Sequence, residues 1–296
     1  MLRGVLFLGV AAVFFALTSV FAKLATAQGV SGMEANFARF FMGFLLAGGY
    51  ILYYKKSIRP NNWQSVIGRS FFNILSASFF FLSIQHTTIT NANMLNMTSP
   101  VYIFLLVPFF EPDQQRSLRQ FIFLAFTILG VYLIVGADFT QVNIGDVYGA
   151  LSGLFGGIAI SVLHQARKYD DAYVILFYQM GIGSLTIFLV TMPTFAYHDS
   201  AVWWYIILAG LMGALGQVLL TIGYRYIDAA TGSIVSSSQM LFATVFGIVL
   251  FNDPLNWRVS VGGILILISL VGVSRFWRSE RVRRLFIYDQ FSNFNY

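Results

Sequence analysis

The sequence predicts an all-α integral membrane protein of ten transmembrane helices in two inverted five-helix repeats. Three observations predict it. Of the 296 residues, 57% are hydrophobic and 10% charged, against about 25% charged in soluble domains. A surface so poor in charge cannot be wetted. Ten apolar runs, each close to the ~20 residues that a bilayer requires, use most of the chain. The Lys and Arg residues between runs collect in one set of alternate loops, which sorts the loops into two sides.

The runs justify themselves in order. The first, 4–27, is too long for a signal-peptide core and leads directly into further spans. The second, 34–54, carries Glu34 and Arg39 at its outer end, and the third, 65–86, opens near Arg69. The fourth, 91–110, contains Asn96 and Pro100; Pro100 removes one helical hydrogen bond and frees a carbonyl near Asn96. The fifth, 118–137, is almost wholly apolar. The sixth, 146–166, and the eighth, 202–225, carry small residues at helical spacing, Gly153 with Gly157 and Ala209 with Gly213, which allow close backbone approach. The seventh is 172–192. The ninth, 230–251, contains the Ser236–Ser238 run and is the weakest of the ten. The tenth, 257–277, precedes a polar, basic tail at 279–296.

One set of loops holds Arg3, Lys55, Lys56, Arg59, Arg116, Arg119, Arg167, Lys168 and the tail arginines. The opposite loops, Gln28–Met33, Thr87–Thr90, Asp138–Asn143, Pro193–Ala201 and Asn252–Asn256, hold no Lys or Arg. The positive-inside rule then puts both termini in the cytoplasm, and a bacterial inner membrane is the expected location. With no Cys in the chain, disulfides, thiolate nucleophiles and Cys-ligated metals are excluded. The +6 balance serves orientation; no nucleic-acid partner is expected.

A weak internal repeat supports the two halves, 1–140 and 141–278. Glu111-Pro112 is matched by Asp253-Pro254, and Gly130-Val131 by Gly272-Val273, all at an offset of 142 residues. Five helices per half is an odd number, so the second half enters the membrane from the other side. That is the inverted-repeat architecture of secondary transporters.

The chain resembles the drug/metabolite transporter superfamily, of the EamA type, over nearly its whole length. The likeness is carried by Phe21-Ala22-Lys23, Asn36-Phe37-Ala38-Arg39-Phe40, Arg69, and the segment Ala92–Pro100. The stretch Ser238–Ala243, with Phe251-Asn252-Asp253-Pro254 and Gly262-Gly263, is most like the branch containing S-adenosylmethionine carriers. Asn252-Asp253 departs from the family's usual Gly-Glu. The resemblance implies a substrate cavity between the halves, and a chain that is a carrier and not an enzyme.

Polar side chains facing lipid are expensive, so those at mid-depth face the bundle interior. These are Asn96, Ser99 and Tyr102 in the fourth run, Tyr178 and Gln179 in the seventh, Gln217 in the eighth, and Ser236 and Gln239 in the ninth. They are the candidate substrate-binding residues. Interhelical hydrogen bonding or packing is the competing role for each. Lys23, Glu34, Arg39 and Arg167 are read as gate or structural charges. For Lys23 and Arg39 an outer gate or an attraction for anionic groups competes with snorkelling to the interface beside a Lys23–Glu34 pair, and the snorkelling reading is favoured. All twelve acids fall at helix ends, in loops or in the tail, which disfavours a carboxylate proton relay. His86, His164 and His198 are dispersed, so no metal site is expected, and no cofactor.

A mid-depth inventory of amides, hydroxyls and aromatics without fixed charge predicts a small neutral or zwitterionic solute: an amino acid, S-adenosylmethionine or a nucleoside. Alternating access by exchange or facilitated transport is the expected mechanism. An intramembrane lipid-modifying enzyme and a channel are the alternatives. Beyond the solute and the lipid bilayer, a homodimer is compatible with the sequence.

Overall fold

The computed structural model describes residues 2–87, 89–110, 118–135, 143–195, 197–251, 257–258, 260–269 and 272. Among these residues the regular structure is entirely helical. The helices are α1 (Leu2–Ala27), α2 (Gly32–Tyr53), α3 (Trp63–His86), α4 (Ile89–Asn96), α5 (Ser99–Phe110), α6 (Leu118–Val135), α7 (Ile144–Tyr169), α8 (Ala172–Thr191), α9 (Ser200–Gly223), α10 (Ala229–Ser236) and α11 (Gln239–Phe251). The described part of the tenth run is α12 (Ser260–Ser269). Six helices, α1, α2, α3, α7, α8 and α9, are each long and apolar enough to cross a bilayer.

The fourth and ninth runs are corrected. Each is two helices, not one, broken at Met97-Thr98 and at Ser237-Ser238. The first break follows from Pro100, which cannot donate to the Asn96 carbonyl and whose ring crowds it. The Thr98 hydroxyl turns back onto the Leu95 carbonyl at 2.6 Å. The second break has no proline. There Ser233 and Ser237 donate to the carbonyls of Ala230 (2.7 Å) and Ser233 (3.0 Å), and such back-bonding bends helices.

Helix lengths recur along the chain. From α1 to α5 they are 26, 22, 24, 8 and 12 residues, and from α7 to α11 they are 26, 20, 24, 8 and 13. The packing is reciprocal as well: α1 lies along α9 and α3 along α7, while α2 rests on α8 and α9, and α8 on α3.

Helix starts are fixed by local chemistry. Ser31 and Glu34 form a capping box at α2, and Asn143 and Asp146 form one at α7. Reciprocal bonds of this kind satisfy helix N–H groups that otherwise have no partner. At the end of α1 the chain turns at Gly29, φ 88°, where the absence of Cβ removes the left-handed penalty. Val30 N–H then reaches the Ala25 carbonyl and Gly29 N–H that of Thr26.

Loops that the charge pattern places on one side are tied together. On one face Asp170 accepts from the Asn61 and Asn62 amides at 2.6 and 3.0 Å, and Arg225 donates to Asp171 at 3.3 Å. On the other, His198 Nε2 lies 3.1 Å from Glu34 Oε2, and Thr87 donates to Asp146 at 2.8 Å. The Glu111-Pro112 and Asp253-Pro254 pairs and the tail lie outside the described residues.

Candidate functional site

A cavity of about 140 Å³ lies where the helix breaks meet the long helices. Its wall draws on α1 (Phe15, Thr18, Ser19), α2 (Arg39), α3 (Arg69, Asn73, Ser76, Phe80, Phe81), α9 (Gln217, Leu220, Tyr224) and α7 (Gly156, Ile160). The first break contributes Asn96, Met97, Ser99 and Pro100, and the second Ser236, Ser237 and Gln239. Residues far apart in sequence thus converge, and among the described residues none that lines the cavity is acidic.

Five of the expected substrate-binding residues line this cavity: Asn96, Ser99, Gln217, Ser236 and Gln239. Three do not. Tyr102 packs on α7, where a Cβ on Gly157 would come within 2.6 Å of its own Cβ. Tyr178 stands edge-on to Trp63 at 5.1 Å and lines a separate groove with Phe37, Phe44 and Phe177. Gln179 is fully buried behind Arg69, accepting from its Nε at 3.1 Å and donating to Asn73 Oδ1 at 2.8 Å.

The expected gate charges separate. Lys23 is exposed near the end of α1. Glu34 caps α2 and faces His198. Arg167 is buried at the C-terminal end of α7, donating to the Asp170 carbonyl, where a cation complements the helix dipole. Arg39 overturns its expectation. It does not snorkel to the interface but lies inside, 9% exposed, donating from Nη2 to Gln217 Oε1 at 2.9 Å. As the eighth residue of α2 it sits roughly 10 Å along the helix, at 1.5 Å per residue, too deep to reach water easily. Its aliphatic stem lies on Gly213, where a Cβ would come within 3.0 Å of its Cγ and Cδ. Its guanidinium lies 5.7 Å from the ring of Phe15 and 5.8 Å from that of Phe40, within cation–π range.

Arg69, with Asn73 and Ser76, went unlisted among the candidates. The third run was started at 65, which put Arg69 at its opening; α3 begins at Trp63, and Arg69 is 1% exposed. Arg69, Asn73 and Ser76 share one helical face, so a polar stripe through an apolar run is the available signal. The cavity therefore contains two cations, and the expectation of a site without fixed charge is corrected.

The first break is held in place by α7. Asn96 donates to Ser152 Oγ at 3.0 Å, and Ser76 to the Ser152 carbonyl at 2.9 Å. Gly149, Gly153 and Gly157 form the contact face; a Cβ on Gly153 would lie 2.4 Å from Thr98 Oγ1 and 2.5 Å from the Leu95 carbonyl oxygen.

Six long apolar helices around a cavity lined by buried polar side chains, with both helix breaks at its wall, define a polytopic membrane protein. The model of the EamA-like transporter family matches twice, at residues 2–136 and 143–275. The chain belongs to that family and is an integral membrane protein of the drug/metabolite transporter superfamily. An uncharacterised transporter of Helicobacter pylori is 30% identical, the match covering 90% of this chain and 93% of the relative. The pseudopaline exporter CntI of Pseudomonas aeruginosa is 23% identical, over 92% and 96%. A crystal structure superposes with a TM-score of 0.77 at 13% identity, covering 92% of this chain and 96% of the other, a likeness of fold alone.

Proposed function

We propose that the protein carries a small polar organic metabolite across a bacterial cytoplasmic membrane by alternating access, through exchange or facilitated transport. Residues 1–140 and 141–278 act as two inverted repeats that rock about the cavity. One observation carries this reading: a cavity with buried polar side chains in its wall, at which the breaks α4/α5 and α10/α11 meet. Discontinuous helices at the midplane are how carriers bring backbone polar groups to a solute. The twofold family match, the recurring helix lengths and a metabolite exporter among the relatives support it.

Counterflow in proteoliposomes against a metabolite panel tests it, because a carrier exchanges solute saturably and a channel does not. In the same assay Gln239→Ala is expected to raise the apparent KM several-fold at unchanged membrane level, since a neutral hydrogen bond contributes about 0.5–1.5 kcal/mol. Normal transport by Gln239→Ala, or loss of expression, removes Gln239 from the binding site.

The same reading puts both termini in the cytoplasm. The chain has no Cys, so a single introduced thiol reports its side unambiguously. Tyr197 is 95% exposed and Lys56 also faces outward. An impermeant maleimide applied to intact cells should label Tyr197→Cys, and Lys56→Cys only after permeabilisation. The reverse pattern inverts the topology.

A further inference from the structure

The chemistry of the solute is written in what the cavity leaves unpaired. Arg69 and Arg39 are buried to 1% and 9% exposure, and both line the cavity. Each has one neutral amide partner, Gln179 and Gln217. Arg39 Nε and Arg69 Nη1 have no hydrogen-bond partner. Among the described residues neither arginine is ion-paired with a carboxylate. Burying a cation without a counter-charge is costly, and here two are buried at the wall of one cavity.

Each helix break brings one helix N-terminus and one C-terminus to the cavity, Ser99 and Gln239 against Asn96 and Ser236. α5 and α11 begin at the cavity with Ser99 and Gln239, and they are 12 and 13 residues long. A helix N-terminus behaves as roughly half a positive charge and favours anions. Two guanidinium groups therefore face one small space, where each break sets a helix N-terminus against a helix C-terminus, and no acid is among the described lining residues.

We propose that the solute is a small organic anion, and that Arg39 and Arg69 bind its oxyanion group, a carboxylate or a phosphoryl group, between the N-termini of α5 and α11. The inference rests on the transport reading of the same cavity. A guanidinium presents its donors as a planar fork that matches such a group. The donors that Gln217 and Gln179 leave over are the ones the anion takes. A free ammonium finds no negative partner here, which disfavours cations and leaves a zwitterion half-satisfied. At about 140 Å³ the cavity is below the roughly 300–1,000 Å³ of sites for drug-sized ligands, so the carbon skeleton is short.

The test begins with the unaltered full-length protein in detergent. Thermal unfolding is followed with acetate, malonate, succinate and glutarate, with glycerol 3-phosphate, and with mannitol and putrescine as neutral and cationic probes. Stabilisation is expected from anions only; the carboxylate and phosphate series separate the two oxyanion sources. Arg69→Gln and Arg39→Gln should weaken the stabilising anion about ten- to hundredfold, the range for a hydrogen bond to a charged group. Arg69→Lys and Arg39→Lys keep the charge and should lose less. Arg225→Gln, which removes an exposed cation paired with Asp171, should change nothing. Should Arg69→Gln fail to fold, the Lys variants and the wild-type panel still decide.

Stabilisation by mannitol or putrescine and not by any anion overturns the proposal. So does an anion response that survives both Gln variants, which makes the arginines structural only. Counterflow with the same probes separates the two readings. Saturable exchange of a neutral solute that anions do not compete sinks the anion site and keeps transport. Arginine-dependent anion binding without counterflow keeps the site and sinks transport.

Discussion

Gln179→Leu is expected to lower stability by about 1.5–3 kcal/mol, the worth of a hydrogen bond to a charged group, and to disable the cavity. Gln179 is fully buried, and its amide joins Arg69 Nε to Asn73 Oδ1. Leucine fills a similar volume but leaves a guanidinium N–H and an amide oxygen both unpaired in a dry interior, where an unmade bond costs more than a made one gains. Arg69 Nη1 already has no partner, so little is left to hold the side chain in place. Thermal unfolding in detergent measures the loss. Gln179→Glu supplies the control: its carboxylate pairs with Arg69 and should restore stability, while cancelling positive charge beside the cavity and weakening anion binding. An unfolding midpoint for Gln179→Leu equal to that of the wild type would show that the amide does not support Arg69.

Gly153→Ala should be the most damaging single-methyl change in α7. The new Cβ would meet the Leu95 carbonyl oxygen at 2.5 Å and Thr98 Oγ1 at 2.4 Å. The hydroxyl can rotate away, but the carbonyl belongs to the backbone at the break and cannot. Overpacking of this kind costs about 1–3 kcal/mol. Separation of α4 and α5 from α7 would also stretch the bond from Asn96 to Ser152. Gly9→Ala is the comparison, since nothing lies within 4 Å of a Cβ there; it should be neutral or slightly stabilising through helix propensity. Equal unfolding temperatures for the two variants would refute the close seating of the break on Gly153.

Much of the fold was legible because lipid is an exacting solvent. The apolar runs and their polar punctuation place the long helices within two or three residues of their observed bounds, as at 34–54 against Gly32–Tyr53. The breaks were less legible. Pro100 announced the first, but Ser236-Ser237-Ser238 could equally have lain within a continuous helix with its hydroxyls bonded backwards. The site was read by depth alone, and depth does not say which way a side chain points. Gln179 and Gln217 are both deep amides, yet one lines the cavity and the other stands behind Arg69. Arg39 reads from sequence as a gate or structural charge that snorkels to water, and Arg69 only as a position of the family resemblance. What keeps Arg39 inside is the flat surface at Gly213 and the acceptor on Gln217, and those lie on another helix.

The division of labour between arginine and amide has a mechanical consequence. Both cations come from the chain before residue 140, and the Gln217 and Gln179 carbonyls that hold them come from beyond it. These two bonds therefore act as strain gauges across the molecule. A relative slip of a few ångströms, the reach of one hydrogen bond, would open them together and leave both guanidinium groups seeking oxygen elsewhere. The two bonds thus register any displacement between the segments before and after residue 140, because each joins a guanidinium of one to an amide of the other.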